Sequence, residues 1–117
     1  MNMNDTPHTP PPSILAIRDR NDRFRSSLTG GALMLTPGAL ALGAGNVARI
    51  LAAVRRFDDF DDDDPTDAHD IGDLDVALDE PGIARWSELI FFRIRDLALP
   101  GASTPSLILI VMLASEW

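Results

Sequence analysis

Cysteine, lysine and tyrosine are all missing from this 117-residue chain. Without cysteine there is no disulfide framework and no thiolate metal site, so no redox compartment is imposed and the cytoplasm is the expected location. All ten basic residues are arginine. The lack of lysine excludes a Walker-type phosphate loop, a Schiff-base amine and a Ser-Lys dyad, and the lack of tyrosine removes one class of general acid. Only two histidines occur, His8 and His69, too few for the usual transition-metal ligand sets.

Long apolar runs are scarce as well. The stretch "GALMLTPGALALGAGNVARILAAV" is broken by Pro37, several glycines and Asn46, and "LILIVMLA" has eight residues, against roughly 20 for a spanning helix. No membrane span is expected. The opening "MNMNDTPHTPPP" has neither a positive region nor an apolar one, so it does not read as a secretory signal. Its four prolines predict an extended, disordered tail over residues 1–12, followed by one domain over 13–117.

Carboxylates are what the chain has in excess. The formal net charge is −8, and residues 58 to 80 hold twelve of the eighteen acidic side chains. A chain of this sign repels phosphate backbones, which argues against direct nucleic-acid binding. The densest part is "FDDFDDDDPTDAHD", Phe57 to Asp70, with eight aspartates and His69 in fourteen residues. It does not fit a calcium loop: with Gly72 at the sixth position, the twelfth is Leu78 rather than glutamate. No metal site and no cofactor are therefore expected, and no catalytic residue is assigned.

The surrounding pattern predicts an α+β fold, two helices on a small, mostly antiparallel sheet of about four strands. Ile14, Ile17, Asn21, Phe24 and Leu28 recur at helical spacing behind a candidate cap, Ser13. On that helix Arg18 with Asp22 and Asp19 with Arg23 read as wet i,i+4 pairs. A second reading makes Arg18, Arg20, Arg23 and Arg25 an arginine face that docks on an acidic partner or on the chain's own acidic loop. "ALMLT" is a short strand closed by a turn at Pro37-Gly38. A second helix, capped by Asn46, carries Val47, Ile50, Leu51, Val54 and Phe57 on one face; the "GAGNVA" at its start is a weak dinucleotide signal, lacking a βαβ setting.

"GDLDVAL" alternates, with Leu74, Val76 and Leu78 on one face. "ELIFFRIR" offers Ile90, Phe92 and Ile94 to one face and Leu89, Phe91, Arg93 and Arg95 to the other. A two-residue hairpin at Pro81-Gly82 would place Leu74 opposite Leu89, which mismatches the faces and predicts a longer connection or a bulge. "LILIVMLA" reads as a central strand covered on both sides. Two helices cannot cover both sheet faces, so self-association is expected unless Arg93 and Arg95 pair with Asp73 and Asp75 across a wet face.

Two readings of function follow. The first is a non-enzymatic interaction or regulatory module whose loop carboxylates Asp58, Asp59, Asp61, Asp62 and Asp63 attract a basic protein partner, in the manner of an acidic mimic. In it, Asn21, Asp64, Asp67, His69 and Asp70 form a cluster that orders the loop locally. The second is a metal-assisted hydrolase using the aspartates around His69. A concave pocket holding His69 with two or more carboxylates would favour the second, and His69 capping the loop on the surface or hydrogen-bonding backbone the first.

The segments "IRDRNDRFR" at 17–25, "LTPG" at 35–38, "RILAAVRRFDDFDDDDPTDAHDIGDLDV" at 49–76 and the terminal "VMLASEW" together resemble a family of small alphaproteobacterial proteins, domain-of-unknown-function family 3768. The likeness implies a shared core containing Asn21, Phe24, Pro37, Phe57, Phe60, Asp64, Pro65, His69 and Asp70, with no catalytic role attached to any. It lapses after Asp79: the family implies a Tyr- and Asp-rich strand after the tryptophan matched by Trp86, where this chain reads "WSELIFFRIRDLALPGASTP".

Overall fold

A computed structural model describes residues 12–80 and 85–117. The chain runs through α1 (Pro12–Ser27), β1 (Gly31–Leu35), α2 (Pro37–Leu40), α3 (Ala44–Arg56), β2 (Ile71–Leu78), β3 (Trp86–Asp96), β4 (Leu107–Leu113) and a closing 3-10 turn, Ala114–Glu116. The four strands form one sheet in the order β1-β4-β3-β2. Two of its three pairings are antiparallel and β1 runs parallel to β4. This is the α+β arrangement expected, with α2 as a third, one-turn helix where only a turn was predicted. Thr36 caps it, its hydroxyl accepting from the Ala39 N–H at 3.4 Å, and Pro37 follows at the first helical position, where a missing N–H costs nothing.

The core lies between the helices and one face of the sheet. Ile50 and Val54 of α3 and Phe24 of α1 meet Val76, Leu78, Ile90, Phe92, Ile94, Leu107, Leu109 and Val111. Because side chains alternate along a strand, the register decides who faces this core. Leu74 pairs with Ile90 and Gly72 with Phe92, one residue away from the two-residue hairpin register. The connection from β2 to β3 is accordingly longer, as the face pattern required. The Pro81-Gly82 turn lies outside the described residues, as do residues 1–11 with His8.

Several local expectations are corrected. The first helix includes Pro12, so Ser13 is inside it rather than capping it. Asn46 does not cap α3 either: the cap position is Gly43, at φ 95°, and Asn46 sits buried in the first turn. There its amide donates to the Leu42 carbonyl at 2.9 Å and its carbonyl accepts from the Asp79 N–H at 3.0 Å, fastening the start of α3 to the end of β2.

β4 is central, but among the described residues it is covered on one face only. Leu107, Leu109 and Val111 are buried under the helices, whereas Ile108, Ile110 and Met112 are half-buried on the far side. The far face also carries Arg93 and Arg95 of β3 and Asp73 and Asp75 of β2, all exposed. Among the described residues these four make no ion pair, contrary to the wet-face pairing.

Candidate functional site: the acidic loop and its clamp

The segment between α3 and β2 is built on the aspartates' ability to bond their own backbone. Asp61, Asp64 and Asp67 each accept the N–H two residues on, from Asp63 at 3.2 Å, Thr66 at 2.9 Å and His69 at 2.8 Å. Short acidic side chains favour this turn because the carboxylate reaches the i+2 amide without strain. A spacing of three thus chains three turns in succession. Asp67 also accepts from the Asp61 N–H at 3.2 Å, closing the loop on itself. Thr66 adds its hydroxyl to Asp64 at 2.7 Å. Its hydroxyl and N–H together, with Arg18 nearby, hold the Asp64 carboxyl below its usual range.

α1 clamps this loop from beneath. Arg18, only 7% exposed, donates to the carbonyls of Asp67 at 2.6 Å and Asp64 at 2.8 Å. Asn21 donates to the Ala68 carbonyl at 2.9 Å, and Arg25 to the Phe57 carbonyl at 2.8 Å. The expected wet pair of Arg18 with Asp22 is therefore replaced by burial, since a guanidinium that satisfies turn carbonyls can leave water. Asp19 and Arg23 do pair on the surface, at 3.2 Å. The reading in which α1 arginines dock on the chain's own loop holds for Arg18 and Arg25, with the contacts made to backbone carbonyls rather than to loop carboxylates.

His69 is the keystone of the cluster. It has φ 55°, a left-handed conformation uncommon outside glycine, which turns its ring inward. Nδ1 lies 3.0 Å from Asp22, Nε2 lies 2.6 Å from Asp62, and the ring stacks on Phe60 at 4.1 Å and 8°. Phe60 meets Phe57 edge-on at 4.8 Å, and the Arg25 guanidinium lies 4.9 Å over the Phe60 ring. Gly72 makes room for this group, because a Cβ there would collide with the rings of Phe92 and Phe57.

The arrangement limits the chemistry. Both His69 nitrogens are hydrogen-bonded to carboxylates and one ring face is covered by Phe60, so in this arrangement neither nitrogen is presented to a bound water. The best-formed clefts of the described surface are not lined by His69. One of about 490 Å³ is lined by Leu42, Gly45, Asn46, Asp79, Glu80 and Trp86, and its two carboxylates make the start of α3 a poor anion cradle. Among the described residues no group of three or more histidines and acids is placed to hold a metal ion.

The sequence-predicted site residues thus divide. Asn21, Asp64, Asp67 and His69 come together in the clamp, as do Asp61 and Asp62 from the set expected to attract a basic partner. Asp58, Asp59 and Asp63 are exposed, and Asp70 contributes its carbonyl to the Ile94 N–H at 2.7 Å.

Two residues escaped sequence reasoning. Glu116 accepts from the Thr36 hydroxyl at 2.6 Å and from the N–H groups of Leu113 at 3.0 Å and Gly38 at 3.1 Å. These bonds, the Thr36 hydroxyl first, hold its carboxyl below the usual value. Asp96 accepts from Ser106 at 2.9 Å and Ala98 at 3.0 Å, the two bonds that, with Arg20 beside them, lower its carboxyl. Each has one local bond, Glu116 to Leu113 and Asp96 to Ala98, but the partners that make them junctions, Thr36, Gly38 and Ser106, lie 10 to 80 residues away in sequence.

No protein-family model, curated protein or solved structure matches this chain. Among the described residues no helix is long and apolar enough to cross a membrane.

Proposed function

We propose that this chain is a non-enzymatic interaction module of the cytoplasm that presents a stiffened acidic loop to a basic protein partner. The observation behind this reading is the division of labour in the loop: buried Arg18, Asn21 and Arg25 hold its backbone, while Asp58, Asp59 and Asp63 are exposed. A loop ordered before binding loses little conformational entropy on association, so its field is delivered in a fixed geometry. The likeness to the family of unknown function 3768 belongs to the same proposal. Its four segments meet in two contact clusters, α1 with the acidic loop and the Thr36 turn with Glu116, and the likeness adds no activity.

The test uses Asp58→Asn with Asp59→Asn, because neither carboxylate holds the fold. Capture of basic proteins, and of an arginine-rich peptide as a defined probe, should slow at low salt and differ less as salt rises, since the field is screened within about 8 Å at physiological ionic strength. Capture that is unchanged at every salt concentration would sink the proposal. The hydrolase reading gains nothing from an imidazole whose nitrogens are both engaged.

A further inference from the structure

We propose that the open face of the sheet is the contact between two copies of this chain, related by a two-fold axis lying in that face and crossing the strands. The face holds apolar side chains that the helices do not cover: Ile110 and Met112 are half-buried, Met34 is 44% exposed and Leu89 39%. Trp117 extends it, packing edge-on against Phe91 at 5.0 Å. Uncovered apolar sheet faces of this kind are sites of association.

The charges on the same face say what covers it. Two arginines and two aspartates stand there, all exposed, with no ion pair to any described residue. The register separates them into opposite halves. Arg93 lies on the rung of Ile71 and Ile110, and Arg95 on that of Ile108. Asp73 lies on the rung of Phe91, and Asp75 on that of Leu89.

A two-fold axis midway between the Arg93 and Phe91 rungs exchanges the halves. The second copy's Arg93 then lies over Phe91 beside Asp73, and its Arg95 over Leu89 beside Asp75. Each pair of opposite charges forms twice, once in each direction across the axis, as an isologous contact demands. Ile110 is laid over the second copy's Met112, so the apolar centre is self-complementary too. The sheets pack face to face with strands nearly aligned, the ordinary geometry of a sandwich. An unrelated partner would need to reproduce this pattern, whereas a second copy carries it already.

The experiment uses the full chain and two charge-reversed variants, Arg93→Asp with Arg95→Asp, and Asp73→Arg with Asp75→Arg. Sedimentation should give a dimer for the unaltered protein at high micromolar concentration. Each variant alone, with unchanged circular dichroism, should be a monomer, because it opposes like charges. Mixed in equal amounts the two should form a heterodimer, a result that loss of folding cannot imitate. If a reversed variant does not fold, Arg93→Ser with Arg95→Ser replaces the set, and its dimer dissociation constant should rise at least about tenfold, from the loss of charge pairs across the contact. An unaltered protein that stays monomeric, variants that still dimerise through another surface such as the β1 edge, or a mixture that stays monomeric would each overturn the proposal.

Discussion

The imidazole of His69 lies flat on the ring of Phe60, 4.1 Å between centroids and 8° from parallel, with a carboxylate at each of its nitrogens. Asp22 comes from α1 and Asp62 from the loop itself, so one side chain both closes the loop and ties it to a helix 47 residues away in sequence. His69→Asn tests this role, since asparagine tolerates the left-handed backbone while removing the ring. We expect a loss of about 2 kcal/mol, from the stack and the charge-assisted bonds together. Urea unfolding measures it, and an unchanged midpoint would show the ring to be a passenger.

Neighbouring aspartates should differ sharply. Asp59 makes no side-chain contact with the described residues, so Asp59→Ala should stay within about 0.5 kcal/mol of the parent. Asp62→Ala removes the acceptor at Nε2 and should cost about 1 kcal/mol. Equal midpoints in thermal melts of the two variants would mean that the loop is held by its turns alone.

Gly72 packs against Phe92 and Phe57 with no space for a methyl group. Gly72→Ala should therefore destabilise by about 1–3 kcal/mol through overpacking. Pairing it with Phe57→Leu, which frees volume at the same point, should recover part of the loss. A Gly72→Ala protein as stable as the parent would contradict the packing described.

Acid should weaken the fold through three carboxylates. Glu116, Asp64 and Asp96 are each held below their usual values by hydrogen bonds in the folded chain. The unfolded chain binds protons more readily at these sites, so their contribution is complete above the unfolded values and is lost as pH falls through the depressed ones. Glu116→Gln should lower stability at neutral pH and flatten this acid dependence. Melting temperatures across pH 2 to 7, an interval chosen to span the carboxylate range, decide it, and parallel curves for parent and variant would refute the assignment.

The strands and their faces were legible because period-two alternation in β2 and β3 survives directly as buried and exposed sides. The mismatch that a two-residue turn would create announced a longer connection or a bulge, but left the register itself open until Leu74 was found opposite Ile90. The Asp61, Asp64 and Asp67 turns were hidden by their own abundance: in a run of eight aspartates, those bonding an amide two residues on look like those facing water. The wet-pair reading of Arg18 failed for a related reason. Its i+4 neighbour Asp22 offered a ready surface partner, and nothing local announced that turn carbonyls 46 and 49 residues away would take the guanidinium instead. The apolar run of β4 suggested cover on both sides, but continuous hydrophobicity does not say whether the second cover comes from the same chain.

The place of β1 also sets an order of events in folding. Among the described residues its only strand neighbour is β4, so Gly31–Leu35 has no described strand to pair with until Leu107–Leu113 has been made. During synthesis the β2–β3 hairpin can close early, since its strands are near neighbours in the chain, while β1 waits with an unpaired backbone for a partner some seventy residues later. Such distant pairings are the slow ones, because a large loop must close before any contact rewards it. Amide protection of β1 should consequently rise together with that of β4 and after that of the hairpin, and a nascent chain stalled before residue 107 should hold two sheet strands in register and leave the first one waiting.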